Sequence, residues 1–309
     1  MKNLIIFAKE SNENAEQKNI HKDCILKVVK NENHFKSASV EKILIEFLRN
    51  EMYRIGIKKA VIGLSGGIDS AVSAYLCAKA LGSENVNCIM MPYKASSKDS
   101  ISDAEKVVSA LKVNSKKIEI TEMVTAFANK IDENNIKNNN ISNLRLGNIM
   151  ARIRMILLYD ESAKENALVV GTGNKTEILL GYSTIFGDSA SALNPVGDLY
   201  KTQLIDLAKY LGVPDSIINK KPSADLWKGQ TDEDELGFTY EKVDKYLFSK
   251  VDERMSDEEL LKMGYDEKFM KRVNNLIIRS QFKRLPPLIA KIANRTINID
   301  FRYNRDWNT

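Results

Sequence analysis

The sequence predicts an α/β fold in which a parallel sheet is covered by helices on both faces. Four short runs of β-branched and apolar residues lie far apart along the chain, and helical patterns fill the intervals between them. Strands that alternate with helices in this way favour a parallel sheet. In such sheets ligands bind beyond the carboxyl ends of the strands, so the segments that directly follow a strand are the first candidates for a site.

The first half of the chain supplies most of these elements. Residues 9–34 are polar, and we predict an N-terminal extension over 1–38 without assigning it a function. Apolar residues at helical spacing predict an amphipathic helix over 39–52. The predicted strands are 60–64, 86–91, 117–120 and 167–170, and the predicted helices between them are 70–80, 102–111 and 149–159.

The remaining segments are read from composition and turn residues. A polar stretch over 132–143 predicts a linker or loop, and a helix over 201–211 is expected to end at Gly212. Residues 221–237 are rich in glycine and acidic residues, which is typical of a long surface loop; a functional lid and disorder both remain open. We predict one domain over 39–290 and a tail over 291–309.

Composition excludes several classes of protein. The 309 residues are 43% hydrophobic, and 46 basic against 41 acidic residues give a net charge of +5, which argues against a dedicated nucleic-acid binder. Three scattered cysteines predict free thiols in a reducing compartment, and both histidines fall in the polar N-terminal stretch. No run approaches the roughly 18 apolar residues of a membrane span, and no signal peptide is recognisable. We therefore expect a cytoplasmic protein without membrane or nucleic-acid partners.

The turn after the first strand is the most informative motif. It reads Gly63-Leu64-Ser65-Gly66-Gly67-Ile68-Asp69-Ser70 and runs into a predicted helix. Glycines allow backbone N–H groups to approach an anion, the helix adds its positive end, and the serines add hydroxyl donors. The motif therefore predicts a cradle for nucleotide phosphates. It carries no lysine and so differs from the common nucleoside-triphosphate loop.

Asp69 is unexpected beside a phosphate, because the two charges repel each other. A bridging divalent cation such as Mg²⁺ would account for it. Alternatively, Asp69 only occupies the first turn of a helix, where an acidic residue is favoured. The spacing alone leaves both interpretations open.

Segments further along the chain carry a family resemblance. The stretch from Ser65 to Ser70 resembles the signature of the ATP pyrophosphatases. Four later stretches are similar to motifs of the NAD synthetases within that superfamily, in the same order: 148–155 (NIMARIRM), 171–177 (GTGNKTE), 187–202 (GD followed by NPVGDLYKT) and 222–233 (PSADLW followed by QTDE). The resemblance covers residues 39–290.

This resemblance implies a fold, a reaction and partners. The fold is of the Rossmann-like, adenine nucleotide alpha-hydrolase kind, and the assembly is a homodimer with the dinucleotide near the subunit interface. ATP adenylates the carboxylate of deamido-NAD and releases pyrophosphate; ammonia then attacks the acyl-adenylate and gives NAD and AMP.

The resemblance also implies a role for individual residues. Asp69 and Glu177 match Mg²⁺ ligands, and Thr172, Lys201 and Ser223 match ATP contacts. Lys201 would also neutralise the departing pyrophosphate as a catalytic residue, Asp188 would position or deprotonate ammonia, and Arg152 and Lys283 would contact deamido-NAD. Three substrate-side positions depart from the usual family pattern: Ile185, Ala192 and Phe282.

Two expectations concern nitrogen and substrate. Only about 38 residues precede the matched region, too few for a glutamine-hydrolysing domain, so we expect free ammonia or ammonia supplied by a separate protein. Because the departures lie on the substrate side, a ligase of the same mechanism acting on another carboxylate is the alternative. A tRNA-thiolating enzyme and a non-catalytic nucleotide-binding module are less favoured.

Overall fold

The structure, a computed structural model, describes residues 35–131, 143–223 and 231–297. Several sequence-based expectations lie outside these residues. They are the extension up to residue 34, nearly all of the linker predicted over 132–143, the middle of the loop predicted over 221–237, and the end of the tail.

Four parallel strands form the sheet, as predicted. They are β1 (Lys59–Gly63), β2 (Val86–Met90), β3 (Asn114–Lys117) and β4 (Ala167–Val169), in the order β3-β2-β1-β4. Ala60 of the central strand β1 lies opposite Val86 of β2 on one side and Leu168 of β4 on the other. The expected α/β class is therefore confirmed.

Twelve α-helices accompany these strands in the part of the chain that the structure describes. They are α1 (Ser37–Arg54), α2 (Ile68–Leu81), α3 (Lys98–Leu111), α4 (Thr121–Ile131), α5 (Asn143–Glu165), α6 (Lys175–Leu180), α7 (Lys201–Leu211), α8 (Asp215–Ile218), α9 (Asp232–Leu236), α10 (Tyr240–Leu247), α11 (Asp257–Lys262) and α12 (Glu267–Arg279). The bounds of α7 match the prediction, and the other predicted helices are extended by one or more residues at each end or at the start.

Alternation along β1 explains why helices cover both faces of the sheet. Ala60 and Ile62 pack into one core with α1, α2 and α7. Val61 points to the opposite face and packs with Val124 of α4 and Met150 of α5. Successive strand residues face opposite sides, so one apolar strand serves both cores.

A third core lies among the later helices. Aromatic and aliphatic side chains of α9, α10 and α12 form it together with Leu180 at the end of α6 and Tyr200 just before α7. This core holds α6 and the start of α7 against α10, and the first turns of α6 and α7 carry the residues of greatest chemical interest.

Two sequence-based assignments need correction. The predicted strand over 117–120 lies at 114–117, because β3 is a fully exposed edge strand without an apolar pattern, whereas Ile120 beyond it is buried. The segment 221–237 is not all loop, since α9 occupies its end. Thr231 caps α9 by accepting from Asp234 N–H, and the acidic residues that suggested a loop suit the first turn of a helix.

Two further expectations concern membranes and thiols. No helix among the described residues combines the length and apolarity that crossing a membrane requires. Cys77 and Cys88 are free and buried, as expected for thiols, and burial raises the pKa of Cys88 to about 12. Cys24 lies outside the described residues.

Glu161 links α5 to the sheet edge and gives a prediction about stability. This buried carboxylate contacts Lys116 of β3 at 3.0 Å and Lys164 at 3.2 Å, and the bond from Lys116 lowers the pKa of Glu161 below its ordinary value of 4.5 despite burial. A lowered pKa stabilises the fold above pH 4.5, and this contribution is lost as the pH falls through the folded-state value. We expect E161Q to cost about 1 kcal/mol at neutral pH and progressively less below pH 4.5.

Chemical denaturation across this pH range measures the difference. Glu105→Gln, at an exposed position on α3, is the control and should change the free energy of unfolding little at any pH. An equal loss for E161Q at pH 7 and pH 3 would contradict the ion-pair explanation.

Candidate active site

The turn between β1 and α2 is shaped by its own hydroxyl groups. Ser70 Oγ donates to the carbonyl of Gly67 at 3.0 Å and accepts from Ser65 N–H at 3.2 Å. Ser65 Oγ in turn accepts from Gly67 N–H at 3.2 Å. The turn thus leads directly into the first turn of α2, whose free N–H groups attract anions, and it suits the predicted phosphate cradle.

Gly66 is required at the centre of this turn. Its φ of +79° is a left-handed conformation that side chains rarely adopt, and a Cβ atom there would lie 2.0 Å from the carbonyl oxygen of Ser100. Ser100 belongs to the first turn of α3. Through this close approach, α3 packs against the turn over 63–70, the phosphate loop.

Three charged residues from distant parts of the chain meet beside the loop. Lys201 Nζ lies 2.6 Å from Asp69 Oδ2 and 3.3 Å from Glu177 Oε1. Each residue lies in the first turn of its helix: Asp69 in α2, Glu177 in α6 and Lys201 in α7. The structure therefore brings together Asp69 and Glu177, which the resemblance assigned to the metal, and Lys201, which it assigned to ATP.

Lys201 stays charged in this buried position. Its side chain is only 3% exposed, and the Tyr240 ring centroid lies 5.2 Å from Nζ. Burial alone would lower the pKa of Lys201, but the charges of Asp69 and Glu177 outweigh burial and raise it. A permanent positive charge thus lies next to the turn where phosphates are expected.

The surroundings of Glu177 disfavour the ionised form of its carboxyl, and a metal ion would change this. Burial and the charge of Asp69 raise the pKa of Glu177 to about 8, against the opposing effect of Lys201. A divalent cation shared by the two carboxylates would remove this repulsion. Among the described residues no third acidic, Cys or His side chain completes a metal-binding group. Two carboxylates, with phosphate and water oxygens, fit the preference of Mg²⁺.

Asn174 is a site residue to which the sequence assigned no role. Its side chain is fully buried, and Nδ2 donates to Asp69 Oδ1 at 2.8 Å while Oδ1 accepts from Glu177 N–H at 3.0 Å. The backbone N–H of Asn174 donates to Glu177 Oε2 at 3.3 Å, which completes a capping box on α6. An Asn followed three residues later by Glu is the sequence signal that could have revealed it.

Replacing Asn174 separates its capping role from its role in the site. We expect N174A to lower stability by about 1 kcal/mol through loss of the cap. The kcat of the enzyme should also fall about tenfold, because Asp69 and Glu177 lose the bonds that orient them. Thermal unfolding and steady-state kinetics measure the two effects.

Ser256→Ala removes the capping box of α11 and is the matched control. It should lower stability by a similar amount and leave kcat unchanged. A normal kcat in N174A would contradict the orienting role.

The expected substrate-side residues converge on the segment 181–188, directly after α6. Arg152 Nη2 donates to the Ile185 carbonyl at 3.3 Å, and Asp188 Oδ1 accepts from Thr184 N–H at 2.7 Å. Lys283 Nζ donates to the carbonyls of Gly181 and Ser183 at 2.7 and 2.5 Å. In this structure Lys283 therefore stabilises the backbone of the segment 181–188.

The pKa values of Asp188, on this segment, and of Lys283, which contacts the segment, shift in opposite directions. Asp188 is exposed as a residue, but neighbouring protein groups desolvate its carboxyl and raise its pKa, although the Thr184 N–H opposes the shift. Burial lowers the pKa of Lys283, and the charge of Asp188 partly opposes that effect.

Two predicted ATP contacts lie outside the ion cluster. Thr172 is half-buried in the turn after β4, between the strand and α6. Ser223 is exposed at the last described position before residue 231. Their contact with ATP stays a prediction.

The fold and these groups define a class of protein: an α/β protein with a glycine-containing strand-to-helix turn and a buried lysine paired with two acids beside it. The model of one family, described as NAD synthase, matches residues 40–287. The chain belongs to this family.

Curated relatives agree with this assignment. An NH(3)-dependent NAD(+) synthetase from Chlorobaculum tepidum is 52% identical over 89% of this chain and 96% of its own length. A protein of the same name from Fusobacterium nucleatum is 54% identical over 81% of this chain and 94% of its own length. These relatives indicate an enzyme of the ligase class and do not favour the alternative of a different carboxylate.

Solved structures resemble the chain in the same way. The NH3-dependent NAD synthetase from Campylobacter jejuni has a TM-score of 0.70 and 37% identity, covering 83% of this chain and all of its own. An NMN synthetase from Francisella tularensis has a TM-score of 0.72 and 33% identity, covering 82% of this chain and 98% of its own.

Proposed function

We propose that this enzyme amidates deamido-NAD with ammonia at the expense of ATP, and releases NAD, AMP and pyrophosphate. The observation that carries the proposal is the buried contact of Lys201 with Asp69 and Glu177 beside the phosphate loop. This arrangement supplies the charges that a reaction at the α-phosphorus of ATP requires. Relatives more than 50% identical carry the matching name.

Activation of the acid is the first step. A carboxylate oxygen of deamido-NAD attacks the α-phosphorus, a bond to that oxygen forms, and the bond to the bridging oxygen of pyrophosphate breaks. Negative charge accumulates on the departing pyrophosphate. Lys201, whose pKa is raised by its acidic neighbours, keeps the positive charge that stabilises this group.

Mg²⁺ is part of the proposal, with Asp69 and Glu177 as its protein ligands. When bound, the ion would neutralise phosphate charge and fix the geometry of the phosphates. Asn174 supports both ligands through its side chain and backbone. We assign Gly63 to Ser70, together with Thr172 and Ser223, to the binding of ATP.

Ammonia completes the reaction. It attacks the carbonyl carbon of the acyl-adenylate, the carbon–oxygen bond to AMP breaks, and one proton must leave the nitrogen. We assign Asp188 as the base that accepts this proton. Desolvation raises the pKa of its carboxyl, and a carboxylate with a raised pKa is a stronger base than an ordinary aspartate.

We assign the binding of deamido-NAD to the surface around the segment 181–188. Arg152 offers a planar fork suited to a phosphate or carboxylate, and Lys283 adds a second charge. The carbonyl of Ile185 accepts from Arg152, and Phe282 directly precedes Lys283 in the sequence, so these two departures from the usual family pattern lie next to the assigned substrate contacts. They would adjust the contacts to this substrate.

A homodimer is also proposed. The helices α4 and α5 pack together and expose several large apolar side chains, among them Phe127, Leu144 and Ile156. Exposed apolar surface of this kind is typical of an interface. Light scattering should give twice the mass of the chain, and I156E should shift it toward the monomer.

Free ammonia, or ammonia delivered by a separate protein, is the proposed nitrogen source. The curated relatives from Chlorobaculum tepidum and Fusobacterium nucleatum carry the name NH(3)-dependent NAD(+) synthetase, which supports this source. We expect ammonium salts to support turnover of the purified chain and glutamine not to support it.

Mass spectrometry of the products tests the proposed function. Incubation with deamido-NAD, ATP, Mg²⁺ and ammonium chloride should give NAD, AMP and pyrophosphate in equal amounts. Nicotinate mononucleotide, which lacks the adenylate half, is the comparison substrate. Faster amidation of the mononucleotide, or ATP consumption without NAD, would contradict the proposal.

A further inference from the structure

Asp244 is a buried carboxylate in α10 that lies outside the motifs of the phosphate loop and of the substrate side. The residue is only 3% exposed. Its Oδ1 accepts from Thr176 Oγ at 2.6 Å, and its Oδ2 accepts from Thr202 N–H at 2.8 Å. Both oxygens are therefore engaged with the first turns of two other helices, α6 and α7.

Thr176 extends this connection to the ion cluster. Its side chain is fully buried, and its Oγ donates to Asp244 while accepting from the backbone N–H of Lys201 at 3.1 Å. Thr176 directly precedes Glu177 on α6, and Lys201 directly precedes Thr202 on α7. The pair of Thr176 and Asp244 thus joins the backbones that carry Glu177 and Lys201.

The chemistry of this position favours a carboxylate. Two donors face it, and only an ionised acid accepts at both oxygens. Its negative charge also lies at the N-terminus of α7, where it interacts favourably with the helix dipole. Burial raises the pKa of Asp244 above its ordinary value, and the bonds from Thr176 and Thr202 and the charge of Lys201 oppose this shift in part.

We infer that Asp244 is a positioning residue that, through Thr176, fixes the separation of Lys201 and Glu177 for Mg²⁺-dependent binding of ATP. This inference rests on the roles assigned to those two residues in the proposed function. Asp244 acts through its bonds to the helix starts and is not a catalytic residue.

Four substitutions test the connection. D244N keeps the shape but removes the charge, and it can keep only one of the two original bonds, because its amide nitrogen donates where the carboxylate accepts. T176V removes the hydroxyl that links Asp244 to Lys201, whereas T176S retains it. Asp206→Asn on α7 is the matched control, because Asp206 is exposed and pairs with Lys209 on the same helix.

We expect D244N and T176V to raise the KM for ATP and the half-saturating Mg²⁺ concentration about 10- to 100-fold, as for lost bonds to a buried charge. The KM for deamido-NAD should change less than threefold, and T176S and D206N should behave like the wild type. Calorimetry of ATP binding with and without Mg²⁺ should show that Mg²⁺ strengthens binding in the wild type and far less in D244N.

Other outcomes would overturn the inference. A purely structural role would lower kcat through loss of folded enzyme and leave every KM and the Mg²⁺ effect on ATP binding unchanged. Equal effects of T176S and T176V would also contradict it, and this pair decides the question if D244N does not fold. Should the wild type make no NAD, the proposed function fails, while the calorimetric comparison still tests Asp244.

Discussion

Replacing Lys201 with methionine is expected to lower kcat for NAD formation on the order of 10²- to 10³-fold. Methionine keeps the length of the side chain and removes the charge, so the departing pyrophosphate loses its buried cation. The substitution also leaves Asp69 and Glu177 without the ammonium that lies 2.6 and 3.3 Å from them. Steady-state release of pyrophosphate measures kcat, and calorimetry measures whether ATP still binds.

Lys209→Met on the same helix is the control. Lys209 is 60% exposed and pairs with Asp206 at 3.5 Å, so its loss should leave kcat within about twofold of the wild type. Normal turnover of K201M would remove Lys201 from the reaction. A loss of ATP binding equal to the loss of kcat would instead assign Lys201 to ground-state binding.

Replacing Gly66 with alanine should lower kcat/KM for ATP about 10- to 100-fold, because the phosphate loop must move away from α3. The new Cβ would lie 2.0 Å from the Ser100 carbonyl oxygen, and the φ of +79° adds strain. Backbone cannot yield as a flexible side chain does, so the shift falls on the N–H groups that face the phosphates. Kinetics at saturating deamido-NAD measure this effect.

Gly212→Ala is the matched control for backbone strain. Gly212 has a similar φ of +77°, but nothing lies within 4 Å of its Cβ position. It should lose about 1 kcal/mol of stability and keep its affinity for ATP. If both variants lowered kcat/KM equally, the close contact with Ser100 would not be the cause.

Local pattern predicted much of the fold. The strands β1, β2 and β4 are mostly buried and rich in apolar residues, and the start and end of α7 follow from its apolar spacing and Gly212. The edge strand β3 has no buried side chain and therefore no pattern to detect. Composition does not reveal α9. Its acidic residues favour a helix start, but such residues are also common in surface loops.

Sequence motifs predict which residues belong to one part of the site. Residues that join the site only through long-range contacts escape such prediction. Asp69, Glu177 and Lys201 each stand in a recognisable motif, and the structure brings them together at the ends of three helices. Asn174 stands in one of those motifs, but its bond to Asp69 spans 105 positions of the chain. Asp244 is an ordinary helical aspartate in the sequence, and only the packing of α10 against the starts of α6 and α7 reveals its contacts.

Transfer of an oxygen isotope tests the central claim, formation of an acyl-adenylate, most directly. Deamido-NAD labelled with ¹⁸O in its nicotinate carboxylate should pass one labelled oxygen to the phosphoryl group of AMP, because that oxygen attacks the α-phosphorus and leaves with AMP. The other labelled oxygen should remain in the amide of NAD. Unlabelled AMP, or label in inorganic phosphate formed together with ADP, would contradict the account.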